Sequence, residues 1–133
     1  MAGSFSDYEE NKVLDHLFGG PDLVRPSTYY LAAFTVAPND AGGGTEVSAS
    51  GYARLAVTNN STNFPASSAG VKSNGVAFEW PEAVANWGTV VAIGVFDALS
   101  GGNLRTWFDG IAVAINTGDS FRIKAGAMTI TLD

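Results

Sequence analysis

The sequence contains no cysteine, which excludes disulfide bonds and thiolate metal sites within the chain. It has one histidine, His16, so a metal site built on two or three imidazoles cannot form within one chain. Charged residues make up only 15% of the 133 residues, whereas soluble domains average about 25%. The low charge content leaves a more neutral surface than a lone monomer usually has, which indicates subunit contacts.

Basic residues are also few: seven Lys and Arg stand against 13 Asp and Glu, which gives a formal net charge of −6. The basic residues are scattered singly and form no stripe that could hold phosphates, so we expect no nucleic-acid partner. The longest apolar runs, such as VAIGVF at 91–96, are far too short to span a bilayer, so we expect no membrane association. Residues 1–12 are acidic where a signal peptide would be basic and apolar, so we expect synthesis in a cytoplasm.

The groups that enzymes use for chemistry are sparse. The sequence has no G-x-S-x-G nucleophile motif, and His16 lies in the last turn of a predicted helix, where a cation suits the helix dipole. Glu79 and Glu82 flank Trp80, which is compatible with glycoside hydrolysis or sugar stacking, but ordinary solvated acids explain this pair better. We therefore expect no enzymatic activity, no cofactor and no metal site.

Residues 1–25 are predicted to form an N-terminal arm with a short helix. Ser6 as the N-cap and Glu9 three residues later give a capping box, and Gly19-Gly20-Pro21 ends the helix. A helix of about three turns is marginal in water, so it must dock on its own domain or on a neighbouring subunit. Its apolar residues recur at helical spacing: Val13, Leu14, Leu17 and Phe18.

Residues 26–133 are predicted to form one β-sandwich domain. Apolar and β-branched segments recur at even spacing between Gly, Asn and Asp turns, without crossover helices, which favours an all-β, jelly-roll-like antiparallel β-sandwich of about eight strands. Asp109-Gly110 is predicted to be a tight turn, and 59–75 a long surface loop or weak edge. The predicted strands are Thr28–Val36, Tyr52–Val57, Val76–Trp80, Trp87–Phe96, Leu104–Phe108, Ile111–Ile115, Phe121–Lys124 and Met128–Leu132.

Four blocks of the sequence resemble small structural proteins of tailed bacteriophages. They are FSDYEENKVLDHLFGG near the start, PSTYYLAAFTVAPNDAGGGTEVSASGYARLAV (26–57), ANWGTVVAIGVFDALSGGNL (85–104) and TGDSFRIKAGAMTITLD (117–133). Their order and spacing match together over most of the chain. Residues 104–116 depart from the pattern, because this segment is bulkier and more apolar. The resemblance implies a virion component, made in the host cytoplasm, with no catalytic residues to carry over.

Proteins of this kind are often described as tail-fibre proteins, and similar small jelly rolls serve as capsid cement. The first hypothesis is a trimeric capsid-decorating (cement) protein that binds the major capsid protein and stabilises the phage head by binding the assembled shell. The alternative is a tail-fibre or baseplate adaptor module that binds other tail proteins and a host surface glycan, with Trp80, Glu79 and Glu82 as the glycan candidates. A small enzyme is the weakest hypothesis.

Candidate interface residues lie in the helix and in the segment that departs from the family pattern. We expect contacts with copies of the chain or with other virion proteins there, although most of these side chains could equally be core. The candidates are Leu14, Leu17, Phe18, Trp107, Phe108 and Ile111.

Overall fold

A computed structural model describes residues 1–132. Over those residues the chain forms one α-helix and ten β-strands. In chain order these are β1 Ala2–Phe5, α1 Asp7–Leu17, β2 Thr28–Val36, β3 Thr45–Glu46, β4 Leu55–Thr58, β5 Val71–Ser73, β6 Phe78–Glu79, β7 Gly88–Phe96, β8 Leu104–Ile115, β9 Arg122–Ile123 and β10 Thr129–Thr131.

Eight strands form one sheet in the order β3-β2-β7-β8-β1-β10-β5, with β4 paired to the first half of β2. The strands β6 and β9 form a separate two-stranded sheet. The predicted all-β sandwich is therefore confirmed. The large sheet is mixed rather than purely antiparallel, because β1 runs parallel to β10.

The core lies between the large sheet and the layer that carries β6 and β9. Leu31 and Ile93 project from neighbouring central strands into this core, where Trp80 packs against Phe121 with ring centroids 5.0 Å apart. The opposite face of the same strands buries a smaller cluster built on Ala32, Phe34 and Ala92. Because both faces of β2 and β7 are covered, their sequences are nearly continuous apolar runs.

The strand β1 was not predicted from the sequence, yet it lies inside the sheet between β8 and β10. Gly3 pairs with Phe108, and a Cβ built on Gly3 would lie 2.3 Å from the Phe108 ring. The position therefore admits only glycine unless the ring moves. A short AGSF segment carries too little apolar alternation to be recognised as a strand.

The predicted turn at Asp109-Gly110 is wrong, because β8 continues without interruption from Leu104 to Ile115. Its pairing with β7 shifts between two registers: Val90 faces Val113, whereas Ala92 faces Asp109. Two steps along β7 thus match four along β8, and the extra residues form a bulge in which Gly110 takes φ +86°. An Asp-Gly pair suits a bulge as well as a hairpin turn.

The helix begins as predicted, with the Ser6 side chain accepting a hydrogen bond from the Glu9 N–H at 3.1 Å. The reciprocal half of the capping box is absent, because the Ser6 N–H donates to the Arg105 carbonyl instead. At the other end Gly19 takes φ +79°, and the Gly20 N–H donates to the Asp15 carbonyl at 2.7 Å. This is a Schellman ending. No helix within residues 1–132 is long and apolar enough to cross a membrane.

Candidate functional site

A buried ion-pair network fixes the first turn of α1 to the sheet. The Arg105 guanidinium donates to the Glu9 carboxylate at 2.8 Å and to Asp97 at 3.1 Å. Both Glu9 and Arg105 are buried, and the Ser6 hydroxyl donates to the Leu104 carbonyl beside them. The first turn of the helix is therefore held by charge-assisted hydrogen bonds rather than by apolar packing.

The network shifts the pKa values of Asp97 and Arg105. Burial alone would raise the pKa of Asp97, but hydrogen bonds from Asn103 and Arg105 lower it below its usual value. Burial would likewise lower the pKa of Arg105, but its bonds to Glu9 and Asp97 raise it. The Arg105 cation is thus matched by two carboxylates, those of Glu9 and Asp97.

Asp40, in the loop after β2, hydrogen-bonds both the first turn of α1 and the outer face of the large sheet. The Asp40 carbonyl accepts from the Asp7 N–H at 2.8 Å, and the Asp40 carboxylate accepts from the Trp107 indole N–H at 2.9 Å. The Gly-rich composition of 38–44 indicates only a loop. Because these contacts join residues far apart in the sequence, no local pattern indicates them.

Three of the predicted interface residues form an exposed apolar stripe on the distal half of α1. Leu14, Leu17 and Phe18 follow one another at helical spacing on one side, and their exposed fractions are 55%, 63% and 79%. Of the helix residues that the structure describes, only Glu9 is buried. The helix is thus anchored at its N-terminal end and presents this helix stripe (Leu14, Leu17 and Phe18) to solvent.

The other three predicted interface residues lie on β8 and are integrated into the chain's own fold. Phe108 is buried, with 5% of its surface exposed, and belongs to the main core. Trp107 points to the opposite side of the sheet, where it is half-buried and bonded to Asp40. Ile111 packs against the main core from a half-buried position. The structure does not bring these three side chains together on one surface.

A pocket of about 570 Å³ opens on the core side of the large sheet. Its floor is apolar and aromatic: Phe64 stands edge-on to Tyr29 with ring centroids 6.1 Å apart, beside Phe108, Met128 and Ile130. The volume lies within the ordinary range for a binding cavity. Sequence analysis missed this pocket, because its walls come from seven separate parts of the chain.

The rim of the pocket is polar and positively charged. Arg25 and Lys72 line it together with Asn60 and Ser61, and no Asp or Glu among residues 1–132 does so. Neither Arg25 nor Lys72 is in an ion pair with any described residue. In a chain with a net charge of −6, the rim of this pocket is a local patch of positive charge.

The glycan candidates predicted from the sequence do not form a sugar-stacking surface. Trp80 is only 2% exposed and packs against Phe121, so its ring is not accessible to a ligand. Its indole N–H has no partner among the described residues. Glu79 and Glu82 are exposed beside it, which is compatible with ordinary surface acids.

The described residues contain no group of three His, Asp or Glu side chains placed to hold a metal ion. His16 accepts a hydrogen bond from the Leu23 N–H at 3.0 Å, and its Nδ1 lies 3.8 Å from the Asp22 carboxylate. The imidazole therefore fastens the segment that follows the helix.

Comparison with known proteins gives one family. Residues 4–131 match the family model described as "Podophage GP4 fiber I protein gp80". The match runs from β1 to β10 and so includes the helix, the sheet and the pocket. No curated protein matches the chain.

Proposed function

The chain belongs to the family of the podophage GP4 fiber I protein gp80, and we propose that it is a structural subunit of a phage fibre. Membership of this family supports a virion component with a structural, non-enzymatic role. The observation that carries the finer proposal is the match to a family that is described as a fibre protein. Of the two hypotheses drawn from the sequence, this favours the tail module over the capsid-decorating cement protein.

The geometry of the helix supports assembly with other protein subunits. Large apolar side chains that are exposed side by side are a usual mark of a protein contact. Leu14, Leu17 and Phe18 form such a group on an element whose base is fixed by the Glu9–Arg105 pair. A rigidly held apolar stripe loses little conformational freedom when a partner covers it.

We propose that the partners are copies of the same chain, in a homotrimer, together with other proteins of the tail. The low charge content and the helix stripe both favour self-association. Trp107 and Phe108 would support assembly indirectly, because Trp107 bonds β8 to the Asp40 loop and Phe108 packs it into the core.

Copy number per particle tests the fibre role. Purified virions should be analysed by quantitative mass spectrometry against the major capsid protein, and antibody-labelled particles should be imaged by electron microscopy. A fibre subunit should be present in small copy number, with label at the tail. A ratio near one chain per capsid subunit, with label on the head, would overturn the fibre proposal in favour of the cement role.

A variant of the helix stripe tests the assembly role. Leu14→Asp with Leu17→Asp should leave the isolated chain folded, because both side chains are exposed, and should reduce incorporation into particles. Val36→Asp is a matched control, since Val36 is equally exposed on the sheet. Normal incorporation of the Leu14/Leu17 variant would show that the stripe is not an assembly contact.

A further inference from the structure

We propose that the helix stripe of one copy of this chain docks into the pocket of a second copy. This inference rests on the self-association proposed above and names the two surfaces that meet. The stripe consists of Leu14, Leu17 and Phe18, and the pocket is the cavity between Arg25, Lys72 and the aromatic floor.

The two surfaces match in shape and polarity. Phe18 is the most exposed side chain of the stripe and lies at the helix end, so it projects as a knob. The pocket is concave, and its floor of Tyr29, Phe64 and Met128 offers apolar and aromatic contacts to such a knob. Its volume of about 570 Å³ exceeds that of any single side chain, so neighbouring stripe residues fit beside Phe18.

Charge is complementary as well. The side of the helix that carries the stripe continues toward the N-terminus through Glu10, four residues before Leu14, and Asp7, seven residues before it. Both acids are exposed, and neither is in an ion pair with a described residue. The pocket rim carries the unpaired cations Arg25 and Lys72. Docking the stripe would therefore place acids and cations on the two sides of one contact.

The contact would be heterologous, because the stripe and the pocket are different surfaces of the same chain. Within one copy the stripe stays exposed, so the helix does not fill its own pocket. Each copy then has one free stripe and one free pocket, and a ring closes when the rotation between copies allows it. A closed ring of three copies would agree with the proposed trimer.

The association of the purified full-length chain tests the proposal. Sedimentation velocity should show an oligomer of the unmodified chain, and Phe18→Ser should weaken association at least about 30-fold, as expected for an aromatic anchor at the centre of a contact. Ala66→Trp, which fills the pocket from an exposed rim position, should have a similar effect. Val36→Ser, which changes an exposed valine on β2, should have none.

Mixing the two defective variants distinguishes this contact from a symmetric one. Phe18→Ser keeps a working pocket and Ala66→Trp keeps a working stripe, so an equimolar mixture should form a one-to-one complex that neither variant forms alone. Full association of Ala66→Trp, or a mixture that stays monomeric, would overturn the proposal. A monomeric unmodified chain at about 100 μM, a concentration at which even contacts of modest affinity are populated, would overturn it too.

Folding and function are controlled separately. Unchanged circular dichroism and urea midpoints would show that each variant is folded. Because the association is measured on the purified chain, its failure is distinguishable from failure of the fibre role, which depends on copy number and position in the virion. Weaker association at 0.5 M than at 0.05 M NaCl is expected from the rim charges, and the absence of any salt dependence would count against them.

Discussion

Removing the Arg105 cation, which binds the first turn of the helix, should destabilise the whole chain. Arg105→Met keeps much of the side-chain volume but leaves the Glu9 and Asp97 carboxylates facing each other without the guanidinium that now bonds both, at 2.8 and 3.1 Å. Breaking a buried pair by deleting one partner costs about 3–5 kcal/mol, because an uncompensated charge stays buried. An exposed pair would cost no more than about 1 kcal/mol.

The predicted loss is large enough to measure by urea unfolding or by a thermal scan. For a domain of 133 residues, 3–5 kcal/mol corresponds to a drop in Tm of about 10–18 °C. Glu9→Gln combined with Arg105→Met should recover part of the loss, because only one unpaired carboxylate then remains near the site. A loss below about 1 kcal/mol in Arg105→Met, or a double variant no more stable than the single one, would refute the reasoning.

The stability of Arg105→Met should also respond to acid differently from that of the unmodified chain. Burial would raise the pKa of Asp97 in the folded state, but hydrogen bonds from Asn103 and Arg105 outweigh burial and lower it. Its contribution is therefore present above the unfolded value of about 4 and is lost as the pH falls through the folded value. In Arg105→Met the Arg105 bond that helps to lower the pKa of Asp97 is gone, so the stability difference between the two chains should narrow below about pH 4.

Three further predictions concern single positions. Gly3→Ala should cost about 1–3 kcal/mol of unfolding free energy, because its Cβ would overlap the Phe108 ring; a neutral effect in urea unfolding would contradict the packing of β1. Gly19→Ala should cost about 1 kcal/mol, because the residue takes φ +79° at the helix end, and an unchanged helical signal and stability would contradict the Schellman ending. The pKa of Tyr52 is raised, chiefly by burial and also by Glu46. Its contribution to stability is therefore present below about pH 10 and is lost as the pH rises further. The free energy of unfolding falls by at most about 1.4 kcal/mol per pH unit. Tyr52→Phe should remove this alkaline loss, and equal alkaline slopes for both chains in urea unfolding would show that Tyr52 is not its source.

Local patterns in the sequence predicted those elements whose cause is local. The strand Thr28–Val36 has the predicted bounds, because nine apolar or β-branched residues in succession suit a strand buried on both faces. The helix start at Ser6 and its end at Gly19 follow from capping chemistry within a few residues. The division into residues 1–25 and 26–133 stays a prediction.

What the sequence could not indicate depends on contacts between distant residues. Glu9 bonds Arg105 across 96 positions, and the capping-box pattern pointed its carboxylate toward the helix start instead. Asp109-Gly110 has the composition of a tight turn, but the continued pairing of β8 with β7 makes it a bulge. The position of Trp80 between two acids is compatible with sugar stacking, but the ring is buried, and its burial depends on how the small sheet packs on the large one.

The edges of the sheet explain why side chains rather than backbone should direct assembly. On one side the large sheet ends at β3, which has two residues, and at β4, which has four; on the other side it ends at β5, which has three. Such short edge strands offer few free backbone groups, so they limit strand addition by a second copy. Specific association must then come from side-chain surfaces, and the helix stripe is the one that the Glu9–Arg105 pair holds in a fixed orientation. Weakening that pair should therefore reduce association as well as stability, whereas a substitution in the stripe should reduce association alone.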